Sequence, residues 1–146
     1  MRQSVIFYAI FAMLATSAIG APVTTYTLPQ DLNWKTYSGP DVGAGVQLAM
    51  LHGKLSDKCG ALYLWKFPDG YVTPWHVNGG YSIYTILKGT LVLGFGRRHA
   101  KVAERAFPPG SIIQGLGTEP HYGRAVGQTI FEVYDVCSPA ASSSRK

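Results

Sequence analysis

The sequence is poor in charge and in cysteine. Charged residues make up 14% of its 146 positions, only eight of them carboxylates, and there are two cysteines. No Cys-x-x-Cys pair and no Asn-x-Ser/Thr sequon occurs. These shortages exclude a disulfide-dense miniprotein, a zinc ribbon, a dithiol redox site and N-glycosylation. After residue 20 no sustained helical period is found, which argues against a helical bundle. Also missing are a Gly-x-Ser-x-Gly elbow, a P-loop, a dinucleotide fingerprint ahead of a helix and a Cys-His nucleophile pair. Thirteen Lys and Arg bring the net charge to +5, but they are scattered, and the one dense group is Arg97, Arg98 and Lys101. No nucleic-acid partner is expected from so diffuse a basic balance.

What is present begins with a leader. Arg2 supplies a positive start, Val5–Leu14 (VIFYAIFAML) is apolar, and Ala18 and Gly20 are the small residues a signal peptidase requires. Residues 1–20 read as a secretory signal, too short in their apolar run to span a bilayer. Secretion, extracellular or periplasmic, is the expectation, with no membrane association after cleavage. In an oxidising compartment the two cysteines take on meaning. Cys59 precedes one strand-like run (ALYLWKF) and Cys137 follows another (TIFEVYDV). Antiparallel neighbours would bring both sulfurs to the same end of a sheet, so a Cys59–Cys137 bridge is expected.

From Val46 onward short runs rich in β-branched and aromatic residues are separated by Gly, Pro and Asp: 46–51, 61–67, 71–77, 81–87, 90–96, 102–107, 111–114 and 129–136. This spacing predicts an all-β barrel or sandwich, with turns at Pro68-Asp69-Gly70, Lys88-Gly89 and Pro108-Pro109-Gly110. Residues 21–42 are expected to wrap a barrel spanning 43–137, and 138–146 (SPAASSSRK) to form a disordered tail. A small β-barrel can enclose one ligand. The question of function becomes what lines its interior.

The best-marked stretches are 70–89 and 108–121. Side chains alternate along a strand, so His76 and Asn78 share a face, and a later segment can bring His121 to them. Two converging imidazoles begin a transition-metal site, which normally takes three or four ligands.

These stretches resemble the cupin superfamily, in particular its small secreted single-domain members. The family's first motif places Gly, His-x-His, Glu and Gly where this sequence has Gly70, His76, Asn78, Ser82 and Gly89, at the same offsets. Its second motif, Gly, Pro-x-Gly and His, corresponds to Gly110, Leu116, Thr118 and His121. The likeness covers most of residues 28–137, including LKGTLVLGFG, which is similar to a family hairpin. It implies a jelly-roll β-barrel of two antiparallel sheets and a tendency to form homodimers. It also implies a metal such as iron, manganese, zinc or nickel held by His76 and His121. Asn78 and Ser82 replace the family's second histidine and its carboxylate, so a divalent cation would keep its full charge among neutral donors.

Three readings remain open on these residues. In the one placed first, the site is metal-free: His76 and His121 act as general acid and base, and Asn78, Ser82, Tyr81, Tyr84 and Tyr122 bind a small, hydrophobic or aromatic molecule. In the second, His76 and His121 hold a metal, with water or Glu119 completing its shell. In the third the cavity is filled by side chains such as Tyr81, Tyr84 or Phe131, and the histidines are structural. An extracellular interaction protein without chemistry is the alternative from another class. With Ser82 at the carboxylate position, the expected cavity rests on neutral side chains around two histidines.

Overall fold

A computed structural model describes residues 24–39, 42–57, 59–96, 103–117 and 119–137. The expected leader, the tail and the basic group Arg97, Arg98 and Lys101 lie outside them. The apolar runs form seven strands: β1 (Lys35–Thr36), β2 (Gln47–His52), β3 (Leu62–Phe67), β4 (Ser82–Phe95), β5 (Glu104–Phe107), β6 (Ile112–Gln114) and β7 (His121–Asp135). All pairings are antiparallel. The all-β expectation holds, but two details differ. Residues 71–77 make only isolated bridges, at Val72 and His76, because Pro74 has no N–H to give to a ladder. Lys88-Gly89 is not a turn; the runs 81–87 and 90–96 are one long strand, β4.

That strand determines the architecture. The half of β4 from Ser82 to Lys88 pairs with Ile130–Asp135 of β7, and β1, β2, β3 and β6 widen this layer. The half from Thr90 to Phe95 pairs with His121–Val126 of β7 and with β5. The bridges from Val72 and His76 add to this second layer. The two expected sheets are thus halves of one hydrogen-bonded network, joined through β4 and β7. Tyr63, Phe67, Tyr84, Phe131 and Val133 from the first half share one core with Leu91, Leu93 and Ala125 from the second.

The junction is a bulge. The β4–β7 register shifts between Ile86 and Lys88 and again between Lys88 and Thr90. Gly89 has φ +69°, and a Cβ there would lie 2.5 Å from the Gln128 carbonyl oxygen and 2.6 Å from Thr129 Oγ1. Only glycine fits both the left-handed backbone and the close approach. Opposite, the fully buried Thr129 donates its hydroxyl to the carbonyls of Thr90 and Gly127 at 3.2 and 3.1 Å. The corner's polar groups are thereby satisfied.

The N-terminal segment adds β1 to the edge of β2. Trp34 lies under Lys66 Nζ at 4.0 Å, and Tyr37 meets Trp65 edge-on at 5.0 Å. At the other end of the wide layer Cys59 and Cys137 form a disulfide across a sequence separation of 78. Closing so long a loop contributes about 4 kcal/mol in the chain-entropy account. The bridge is consistent with an oxidising compartment.

Gly89→Ala is expected to cost about 3 kcal/mol in urea unfolding, from positive φ together with the backbone overlap. Gly70→Ala has a similar φ of +73° but nothing within 4 Å of the added Cβ, and it should cost only about 1 kcal/mol. Equal costs would show that the close approach at the corner has no energetic weight.

Candidate functional site

Along β7 the odd-numbered side chains face inward, and the cavity between the layers is lined from His121 at one end of the strand to Asp135 at the other. Its volume is about 680 Å³, within the range of small-molecule sites. Tyr84 and Phe131 stand in its walls and do not fill it. Tyr63, Trp65, Phe67, Leu91 and Leu93 supply further apolar wall, and Leu55, Ser56 and Asp57 come from the loop after β2.

Backbone pairing brings the two histidines together. His76 N–H donates to the His121 carbonyl at 2.9 Å and His121 N–H returns the bond at 3.0 Å. Residues directly opposite in an antiparallel pair project to the same face, and the imidazole centroids are 4.4 Å apart. Each ring has Nδ1 2.8 Å from the carbonyl oxygen two residues earlier, Pro74 for His76 and Glu119 for His121. A carbonyl can only accept, so Nδ1 of each ring carries a hydrogen, and the basic lone pair of the neutral form is on Nε2. His121 is 2% exposed. Burial holds its pKa below the ordinary imidazole value, and the neighbouring His76 adds to this while the Glu119 carbonyl opposes it.

The remaining expected residues divide. Asn78 lines the cavity and its Nδ2 donates to the Tyr84 hydroxyl at 2.8 Å. Burial pushes the Tyr84 pKa above the ordinary tyrosine value, which keeps it a neutral phenol. Tyr81 stands at the opening, 43% exposed. Ser82 is buried and lines the wall. Tyr122 and Glu119 do not line this cavity. Tyr122 follows an inward residue on β7 and therefore faces outward; its ring crosses Gly94, contacts Trp75 at 4.9 Å and donates its hydroxyl to Glu104 at 2.6 Å. Glu119, turned by Pro120, borders a smaller adjacent cleft with Phe95 and Ile113, and only its carbonyl reaches His121.

Sequence reading missed Asp135. It sits opposite Ser82 in the register of β4 and β7, and Ser82 Oγ donates to its Oδ1 at 2.7 Å. Tyr63 donates to Oδ2 at 3.2 Å. Burial first, then the nearby Tyr84 and Asp135, raises the Tyr63 pKa, so this phenol stays protonated. The cavity does hold a carboxylate, from the strand beside the one in which the motif places it. Pairing Ser82 with the acidic residue that ends the last strand run is the signal that was available.

No protein-family model matches the chain, and no curated protein matches it. Solved structures do. A cupin described as RmlC-like from Shewanella frigidimarina superposes with a TM-score of 0.57 at 10% identity, covering 80% of this chain and 95% of that one. A predicted oxalate decarboxylase from Thermotoga maritima gives 0.58 at 21%, covering 77% and 100%. The DMSP lyase DddQ from Ruegeria pomeroyi gives 0.54 at 19%, covering 75% and 59%. The chain has the cupin fold.

The cupin fold implies a metal, and the residues at the expected place fit one poorly. Among the described residues no group of three His, Cys, Asp or Glu side chains comes together. Asn78 and Ser82 are already engaged with Tyr84 and Asp135. Two imidazoles alone are half of an ordinary ligand set. Protein prepared without a chelating tag should therefore contain less than about a tenth of an equivalent of iron, manganese, zinc or nickel; one equivalent of any of them in elemental analysis would refute this.

The buried histidine also makes stability depend on pH. With its folded pKa lowered, His121 takes up a proton more readily in the unfolded chain, so stability is highest above the unfolded value near 6.5 and falls with pH toward the folded value. The urea midpoint should drop between pH 7.5 and 5.5, and His121→Gln should flatten the drop. An unchanged slope in that variant would remove His121 from the account.

Proposed function

We propose that this is a secreted cupin that binds a small molecule with a hydrophobic or aromatic body in its cavity and catalyses a metal-independent proton transfer of the isomerase, cyclase or lyase type. The observation that carries the reading is the paired imidazoles, both with Nε2 lone pairs, on the wall of an open cavity whose other walls are aromatic. His121, kept neutral by burial, takes a proton from a substrate carbon or hydroxyl. His121 then returns that proton from Nε2 to another position on the substrate or gives it to the Nε2 lone pair of half-exposed His76, which releases it to solvent.

Charge developing on a substrate oxygen meets donors already in place. Asn78 uses one amide hydrogen on Tyr84 and keeps the other. The Tyr84 hydroxyl accepts that bond and keeps its own proton to donate. Donors held in position in this way favour an oxyanion without reorganisation. That solved cupins of the same fold include a lyase and a predicted decarboxylase supports chemistry in such a cavity. The disulfide and the leader-like residues 1–20 support secretion.

Exchange of the carbon-bound hydrogens of phenylacetone in D2O, followed by NMR near pH 7, tests this directly. The protein should accelerate exchange, and His121→Gln should lower the acceleration by about a hundredfold or more, with a smaller loss in His76→Gln. Acceleration that survives both substitutions would overturn the assignment.

A further inference from the structure

The charge of the cavity is opposite to that of the chain. The protein carries +5, yet among the described residues no Lys or Arg lines the cavity, whereas Asp57 and Asp135 do. Cations on neighbouring strands are engaged elsewhere: Lys66 over Trp34, Arg124 with Glu104 at 3.2 Å and Lys88 with Gln128 at 3.2 Å. Among the described residues, an anionic ligand would meet no cation in the lining and two carboxylates that oppose it.

The aromatic walls act in the same direction. Phe67 meets Phe131 at 88° with centroids 5.0 Å apart, Tyr63 meets Trp65 at 89° and 6.0 Å, and Tyr84 stacks on Phe131 at 18° and 5.5 Å. Rings set near right angles present faces in more than one direction, and the face of an aromatic ring is its electronegative part. Asp135 completes the arrangement. Each of its oxygens accepts one hydroxyl, from Ser82 and from Tyr63, and a carboxylate oxygen has a second lone pair to offer.

We propose that the cavity takes an amine: a ligand whose ammonium group lies at Asp135 and whose apolar or aromatic body packs on Trp65, Phe67 and Phe131. The assignment rests on the cavity being the ligand site, as proposed above, and adds the class of ligand. An ammonium supplies the hydrogen-bond donors that the free lone pairs of Asp135 accept, and it gains from the ring faces around it.

The test uses three probes with one ring and different heads: 2-phenylethylamine, 2-phenylethanol and phenylacetate, titrated calorimetrically near pH 7. The amine should bind tightest and phenylacetate weakest, about tenfold or more apart. Asp135→Asn should bring the amine down to the affinity of the alcohol and leave the alcohol within about threefold of its original value. Asp57→Asn, on an exposed loop, guards against misfolding of the first variant, and it should weaken the amine by about twofold without moving the alcohol. An amine that binds no better than the alcohol overturns the ligand class and leaves the cavity reading standing. So does phenylacetate binding as tightly as the amine, or an amine advantage that survives Asp135→Asn. Absence of binding by all three probes overturns both readings.

Discussion

A net offset of one residue between β4 and β7 organises the molecule. Before the bulge at Gly89 the even-numbered side chains Ser82, Tyr84 and Ile86 are buried, and after it the odd-numbered Leu91 and Leu93 line the same cavity. Strand side chains alternate with period two, so a net slip of one residue reverses which set faces inward. Without it, Leu91 and Leu93 would point away from the cavity and the second layer would lose its apolar wall. The partner strand β7 keeps odd residues inward on both sides of the corner, which is why His121 and Asp135, at opposite ends of one strand, serve the same space. The tight fit of Gly89 against Gln128 and Thr129 holds this change of parity in place.

The same corner explains what the sequence disclosed and what it concealed. The short apolar runs 47–52 and 62–67 mark two strands directly, because they are interrupted only at their ends. Lys88-Gly89 carries the composition of a turn, and a bulge with positive φ uses the same glycine for a different purpose. Only the partner strand decides between them, and partner strands are not local. Asp135 was hidden for a related reason. Motif spacing follows a single strand, whereas a ligand set is assembled across strands, and the carboxylate absent at Ser82 stands directly opposite it. Tyr122 is the converse case. Alternation from His121 already excludes it from the cavity, and proximity in sequence was the weaker guide.

Within the cavity, polarity is distributed in pairs. Asn78 is tied to Tyr84, Ser82 and Tyr63 are tied to Asp135, and both histidine Nδ1 atoms are tied to backbone. Among the described residues no buried side-chain nitrogen or oxygen lacks a partner. Such pairing limits the desolvation cost of polar atoms among aromatic walls and fixes their orientation. The atoms left over are those with chemical capacity: the two Nε2 lone pairs, the second amide hydrogen of Asn78, the phenolic hydrogen of Tyr84 and the outer lone pairs of the Asp135 carboxylate. The imidazoles lie at one end of β7 and the carboxylate at the other, so in the proposed reading the cavity separates a proton-transfer group from a charge-recognition group.

That separation gives the disulfide a role beyond stability. Asp135 is the last residue of β7, and strand ends fray unless tied. Its backbone N–H donates to Ala61 at 3.0 Å and its carbonyl accepts from Gly60 at 2.6 Å. Gly60 follows Cys59, and Cys137 lies two residues past Asp135, so the bridge clamps both sides of this short ladder. The same link restrains the loop after β2 that carries Leu55, Ser56 and Asp57 into the cavity wall. At the histidine end no such clamp is needed, because His76 and His121 are held by a reciprocal pair of backbone hydrogen bonds within the second layer. The bridge therefore also keeps the carboxylate end of the cavity in register with the imidazole end.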